Sequence, residues 1–326
     1  MKSQIFITRQ IPDKGLQLLE NRFDVEINPE NRVLSKTEII QGIKGKEGLL
    51  CLLTDPIDKE VIMAEPHLKM IASYAVGYDN IDVAAATNQK IPVSNTPGVL
   101  TDATAEMTWA LFFAVSRHIV QADAFTRQGK FHGWDPLLFR GQQLQGMTLG
   151  IIGAGRIGTA VALKSKGFDM NILYVNNQIN EVLEQKLNAK KVSLSTLLQN
   201  SDFITLHVPL TKSTYHLIGK QQFTLMKSSA ILINTARGPV IDESALISAL
   251  KQKRIYGAGL DVYEHEPNIS KQLIQLPNVV LQPHSASATY ESRDAMAKLA
   301  AQNMIAGLNG EIPPNCINPG VFRKKN

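Results

Sequence analysis

The sequence predicts an α/β protein, a doubly wound parallel sheet joined to a second, smaller α/β unit that is discontinuous in sequence. Three observations carry this reading. From Thr148 onward six short, nearly all-apolar runs alternate with amphipathic segments: TLGIIG, NILYV, DFITLHV, SAILINT, YGAGLDV and NVVLQPH. The first run leads directly into a glycine pattern, GIIGAGRIG. The first hundred residues repeat the same alternation more loosely.

The elements follow in order. QIFITR, FDVEIN, GLLCLL, LKMIASYAVG and IPVSN are the strand candidates of the smaller unit. After NTPGVL, one long helix is expected from Asp102 to about Gln128, linking the units. The six later runs have strand length, and their near-continuous apolarity is what burial on both faces demands. Between them RIGTAVALKSKG, SLSTLLQN, KQQFTLMK and DESALISALKQKR read as crossover helices. In the last, Ala245, Leu246, Ala249 and Leu250 share one face, and Asp242 or Ser244 can cap the start. A final helix, ESRDAMAKLAAQNMIAGLNG, has no strand left to cross to and is expected to return to the first unit. This gives a Rossmann-type domain over residues 100–286. A smaller flavodoxin-like domain is assembled from residues 1–99 and 287–326.

At 326 residues the chain is long enough for two such cores. Its longest apolar runs, such as MTWALFFAV, fall far short of a membrane span, and MKSQIFITRQIPDKG lacks a signal peptide's apolar region. Two cysteines, Cys51 and Cys316, form neither a disulfide framework nor a metal-ligand spacing, and Cys51 reads as a buried reduced thiol. A cytoplasmic protein without a metal site is expected. The net charge of +5 is spread along the chain, densest in the terminal FRKKN, with no motif for nucleic acid. Solubility is the plain reading of that charge, although a mildly basic surface also favours anionic substrates.

Gly153, Gly155 and Gly158 follow a strand and open a helix near Arg156, the context that gives a GxGxxG pattern its meaning. The first glycine permits a tight turn, the second a close backbone approach to a pyrophosphate, the third tight helix–strand packing. The free N–H groups of the helix start then face the phosphates. A dinucleotide with a 2′-hydroxyl is normally held by an Asp or Glu at the end of the second strand. Here that place, in ILYVNN, holds Asn176 and Asn177. Loss of the carboxylate removes the repulsion that excludes a 2′-phosphate. No arginine follows to select one, and Lys190 and Lys191 are too distant in sequence to assign. The sequence thus permits NADP without demanding it.

Three further segments put polar groups at strand ends, where chemistry gathers in a doubly wound sheet. ILINTARGPVID places Arg237 there, GAGLDVYEHEP places Asp261 and Glu266, and VVLQPHSASAT places His284. Arginine offers a planar fork matched to a carboxylate. Histidine can pass a proton to a carbonyl oxygen, and a neighbouring carboxylate holds its ring. With a nicotinamide these groups supply what reduction of a 2-keto acid needs. Each has a plainer alternative: Arg237 paired with a surface acid, Glu266 solvated like Glu264, His284 without a role. His207, in LHVPL, is also at a strand end, and spacing alone leaves it open as the acid or as part of a cofactor wall.

Taken together, YAVGYDNIDV, NTPGVLTDATAE, GIIGAGRIG, SDFITLHVPLT, ILINTARGPVID, GAGLDVYEHEP and PHSASAT resemble one family nearly end to end. It is the D-isomer-specific 2-hydroxyacid dehydrogenases, and within them the glyoxylate/hydroxypyruvate reductase branch. The resemblance implies that Arg237 binds the substrate carboxylate, that His284 is the general acid, and that Glu266 is its carboxylate partner. It implies that the backbone of Val76 and Gly77 helps hold the carboxylate and that Leu53 lines the side-chain pocket. Ala154, Gly155, Arg156 and Ile157 would cradle the pyrophosphate, and Asn176, Asn177 and Gln178 would meet the adenosine ribose. Thr104 and Asp261 would place the nicotinamide, walled by Thr235, Ala236, His207, Val208 and Pro209. Trp134, in GWDPLLFRG, resembles a residue that reaches into a partner subunit's site in a homodimer; plain interface or core is the alternative.

One departure stands beside the catalytic histidine, where Ala286 replaces the usual glycine and adds a methyl group near the nicotinamide. In this branch the missing acid often accompanies NADP, usually with an arginine where Asn177 stands. The resemblance therefore tilts the expectation toward NADP(H) over NAD(H), with dual use open. The expected activity is reduction of glyoxylate and hydroxypyruvate. The alternatives are a 2-ketogluconate, D-lactate, phosphoglycerate or formate enzyme, or a dinucleotide-sensing corepressor-like protein. No separate regulatory domain is expected after NPGVFRKKN, and Glu266 stands where a formate enzyme typically has glutamine.

Overall fold

The computed structural model describes residues 2–322; residue 1 and residues 323–326, which include most of the FRKKN cluster, lie outside the described residues. The chain divides into two compact units, one running to Leu100 and resuming at Ala288, the other spanning Thr101–Ser287.

In the first unit β1 (Gln4–Ile7), β2 (Asp24–Ile27), β3 (Gly48–Cys51), β4 (Met70–Ser73) and β5 (Val93–Ser94) form a parallel sheet in the order β2-β1-β3-β4-β5. That is the flavodoxin-like strand order. The inner strands β3 and β4 are buried at every position, as their unbroken apolar runs require. The last helix, Tyr290–Leu308, returns to this unit and packs on Asp13–Glu20, β3 and β4.

The second unit is a seven-stranded parallel sheet: β6 (Thr148–Ile152), β7 (Asn171–Val175), β8 (Lys190–Lys191), β9 (Phe203–Leu206), β10 (Ile231–Asn234), β11 (Gly257–Leu260) and β12 (Val279–Leu281). Its order is β12-β11-β10-β9-β6-β7-β8, doubly wound about β6. Successive residues feed opposite cores. Phe203, Ile231 and Ile233 join one cluster with Phe112 and Tyr174, while Ile204 and Leu232 join another with Leu246 and Leu250. This alternation between two apolar faces is why the strands read as apolar throughout.

Two expectations are corrected. The sheet has seven strands, not six: β8 is a two-residue, solvent-exposed edge strand made of lysines, with no apolar pattern to announce it. The single helix expected from Asp102 to Gln128 is two helices, Thr101–Ser116 and Ile119–Arg127. The break falls at His118, in the left-handed region at φ 54°. Tertiary contacts fix it there. The Gln142 amide takes the Ser116 carbonyl at 2.8 Å, and the Tyr256 hydroxyl meets His118 Nε2 at 2.7 Å. Asp242, rather than Ser244, caps the helix Glu243–Lys251 through the Ala245 amide. Among the described residues no helix is long and apolar enough to cross a membrane.

Candidate active site

The glycine turn sits where the strand order reverses, between β6, β7 and β9. Gly153 has φ +96°, a conformation that side chains avoid, and its amide bonds the Val175 carbonyl at 2.9 Å. A Cβ there would meet the His207 carbonyl at 2.7 Å, and one at Gly158 would lie 2.2 Å from the Gly153 oxygen. Both glycines are therefore needed by the fold itself. Gly155 is different: a Cβ there would meet nothing within 4 Å, although it caps the helix Arg156–Lys164. The open space in front of its backbone, beside the donor-rich helix start, fits a pyrophosphate.

Asn176, Asn177 and Gln178 lie just past β7, with Asn176 donating to the Gln178 carbonyl at 3.0 Å to close a turn. Asn180, which sequence reasoning passed over, fastens this turn to the glycine loop. Its side chain donates to the Ala154 carbonyl at 2.9 Å and to Thr159 Oγ1 at 2.7 Å, and accepts from the Leu183 amide. The legible signal was an asparagine at the start of the helix Glu181–Leu187, a strong N-cap residue. Lys191 also arrives here despite its sequence distance, its Nζ 2.9 Å from the Asn177 carbonyl. The parallel pairing of β7 with β8 brings it there.

At the other strand ends the polar residues singled out in the sequence all fall within the second unit. Arg237 follows β10, Asp261 follows β11, Glu266 lies in the loop after it, and His284 follows β12. His284 Nδ1 and Glu266 Oε2 are 2.8 Å apart, and Glu266 Oε1 accepts from the Tyr263 amide at 2.9 Å. Burial pushes the Glu266 carboxyl up, but the bond and charge of His284, the Tyr263 amide and the Arg237 charge outweigh it and leave it below 4.5. Tyr263 ties the two loops together: its hydroxyl donates to the Gln282 carbonyl at 2.7 Å, and burial pushes its pKa up to about 12. Asn234 braces the Arg237 turn, donating to the Arg237 carbonyl at 2.9 Å while accepting from the Ala236 amide at 3.0 Å.

His284 is held at φ 54°, where a residue with a Cβ pays about 1–2 kcal/mol. Buried Asp261 secures that conformation, its two oxygens accepting from the Ser285 amide at 2.7 Å and the Ala286 amide at 2.9 Å. Burial raises the Asp261 carboxyl above its usual value against these amides and the His284 charge. Asp261 thus shapes the His284 loop directly. Ala286 is buried with its amide engaged by Asp261, so its extra methyl is accommodated. Thr104 and Thr235 are buried neighbours, joined through Thr108 Oγ1, which donates to the Thr104 carbonyl and meets Thr235 Oγ1 at 3.0 Å.

His207 stands apart from the His284–Glu266 pair, behind the glycine turn. Its Nδ1 is shut off from solvent with no partner among the described residues, Nε2 meets Thr205 Oγ1 at 3.0 Å, and burial lowers its pKa to about 3. With Val208 it backs the glycine turn, since a Cβ on Gly153 would also strike Val208 Cγ1 at 2.8 Å. Glu264 is not solvated, contrary to expectation. It accepts from the Glu243 amide at 2.9 Å, and its other oxygen is 2.6 Å from His216 Nε2. Pro209 is exposed beyond His207. Trp134 is 85% exposed, in a stretch that also exposes Phe131 and Leu137. In the first unit Leu53 follows β3, and Val76 and Gly77 follow β4, the Val76 carbonyl accepting from Asn95 at 2.8 Å. Cys51 is a buried free thiol.

Residues 109–286 match the family model for the D-isomer specific 2-hydroxyacid dehydrogenase NAD binding domain. The chain is 51% identical to a glyoxylate reductase of Thermococcus litoralis, covering 99% of this chain and 98% of that one. It is 50% identical to a glyoxylate reductase of Korarchaeum cryptofilum with the same coverage. Among solved structures, an NADPH-dependent glyoxylate/hydroxypyruvate reductase of Sinorhizobium meliloti, crystallised with NADP and malonate, aligns over the whole of both chains. Its TM-score is 0.89 and its identity 30%. With a doubly wound domain, a glycine turn open at Gly155 and a histidine–carboxylate pair at its strand ends, this chain belongs to the D-isomer-specific 2-hydroxyacid dehydrogenase family.

Proposed function

We propose that the protein is an NAD(P)H-dependent reductase of small 2-keto acids, glyoxylate and hydroxypyruvate foremost. The observation that carries this is the 2.8 Å contact between His284 Nδ1 and Glu266. It fixes the imidazole ring and leaves Nε2 to deliver a proton. A bound dihydronicotinamide supplies the hydride. His284 protonates the keto oxygen as its carbon is reduced, and Glu266 stabilises the imidazolium before that transfer. Arg237 holds the substrate carboxylate and orients the keto group. Asp261 positions the His284 loop, and Thr104, Thr235, Ala236, His207, Val208 and Pro209 contain the nicotinamide half.

Both dinucleotides are accepted on this reading, NADPH somewhat better, because Asn176 and Asn177 lack the charge that repels a 2′-phosphate. The relatives named glyoxylate reductase, and the one crystallised with NADP, support the substrate and cofactor choice. A homodimer belongs to the same proposal, with the exposed Trp134 stretch entering a partner subunit. So does a cytoplasmic setting, which suits the free Cys51 thiol. The test is kcat/KM for glyoxylate and hydroxypyruvate with NADH and with NADPH. Turnover with either acid supports the reading. Tight dinucleotide binding with no turnover of any small 2-keto acid overturns it in favour of a sensing protein.

A further inference from the structure

The sequence poses a question at ILYVNN that the second unit answers in space. Two amides stand where a carboxylate normally meets the adenosine ribose, and no arginine follows. A cation is nevertheless present. The edge strand β8 pairs with β7 in the register Tyr174↔Lys191, and Lys191 Nζ donates to the Asn177 carbonyl at 2.9 Å. An ammonium has three donors, and Asn177 takes one. Lys190, its neighbour, points to the opposite face of the strand.

The turn that Lys191 grips is braced on its other sides. Asn176 closes it onto Gln178, and Asn180 binds it to the Ala154 carbonyl and Thr159 of the glycine loop. The ammonium is therefore tied to the same short turn that the dinucleotide reading assigns to the adenosine ribose. Glu184, the nearby acid, accepts from the Tyr174 hydroxyl at 2.7 Å.

We propose that Lys191 is the specificity-determining residue for the 2′-phosphate, supplying from the adjacent strand the positive charge that the Asn176–Asn177 turn lacks. This deepens the dinucleotide reading above and rests on it. The dianionic 2′-phosphate gains a charge-assisted hydrogen bond from Lys191 Nζ and amide donors from Asn176 or Asn177. A ribose hydroxyl gains only the neutral bonds. Lys191 is exposed, so the preference weakens with salt, since screening at 0.15 M acts over about 8 Å.

The experiment is calorimetric titration of the full chain with adenosine 2′,5′-bisphosphate and with 5′-AMP, which differ in the 2′-phosphate. Lys191→Ala is expected to weaken the bisphosphate at least tenfold, about 1.4 kcal/mol, and 5′-AMP by less than twofold. Lys191→Arg is expected to retain the preference. Equal weakening of both ligands would make Lys191 a loop anchor only and overturn the proposal, as would no change in either. If the wild-type chain binds neither fragment, the dinucleotide reading itself fails and takes this proposal with it. Wild-type binding of both with no effect at Lys191 overturns this inference alone.

Discussion

Replacing Gly155 and Gly158 separately by alanine divides the two tasks of one glycine motif. At Gly158 the added methyl would sit 2.2 Å from the Gly153 carbonyl oxygen, whereas ordinary contact begins near 3.4 Å. Helix and turn must separate by the difference, about 1.2 Å. Overpacking of this kind costs about 1–3 kcal/mol. In a unit of this size each kcal/mol lowers the melting temperature by roughly 2–4 °C. At Gly155 the methyl meets nothing within 4 Å, and φ is an ordinary −79°. Stability should change by no more than about 0.5 kcal/mol. The methyl instead fills the space assigned to a pyrophosphate oxygen, so affinity for both NADH and NADPH should fall at least tenfold, about 1.4 kcal/mol. Thermal unfolding without ligand and fluorescence titration with each dinucleotide read the two effects separately. A Gly155→Ala protein that binds as wild type, or melts as early as Gly158→Ala, would refute the reasoning.

Two further outcomes are expected. Asp261→Asn sets an NH2 group against one of the two amides it now accepts from. It should cost about 1–3 kcal/mol in thermal unfolding and slow turnover more than it weakens dinucleotide binding; equal losses in both would contradict its role at the His284 loop. Glu266 has a folded pKa below 4.5, so its contribution to stability is complete above the unfolded value and fades as pH falls through the lower folded one. Wild type should therefore exceed Glu266→Gln by about 1–2 kcal/mol at pH 7, and the gap should close below pH 4.5; a constant gap from pH 3 to 7 would show that charge is not the cause.

Much of this was legible in the residues. The strands of the larger sheet are readable because each feeds two apolar cores, as Phe203 and Ile204 do on adjacent positions. Arg237, Glu266 and His284 stood out as polar groups ending such runs, and the structure joins Glu266 to His284 directly. What the sequence withheld depends on contacts between distant segments. The helix break at His118 is set by Tyr256 and Gln142. Two lysines carry no strand pattern, so β8 was silent, and with it the bond from Lys191 to Asn177. Glu264 reads as a surface acid until His216 and the Glu243 amide are seen to hold it. His207 and His284 look alike as strand-end histidines. Their partners separate them: His207 meets the Thr205 hydroxyl, whereas His284 is bonded to a carboxylate.

The central claim is that His284, held by Glu266, is the acid of a 2-keto acid reductase. It is tested most directly by measuring kcat for glyoxylate reduction, alongside dinucleotide affinity, in wild type and His284→Ala. General acid catalysis contributes about 10²–10⁴-fold. His284→Ala is expected to lose kcat in that range with dinucleotide affinity within about threefold of wild type, a shift of about 0.7 kcal/mol or less. Wild-type turnover in His284→Ala would contradict it.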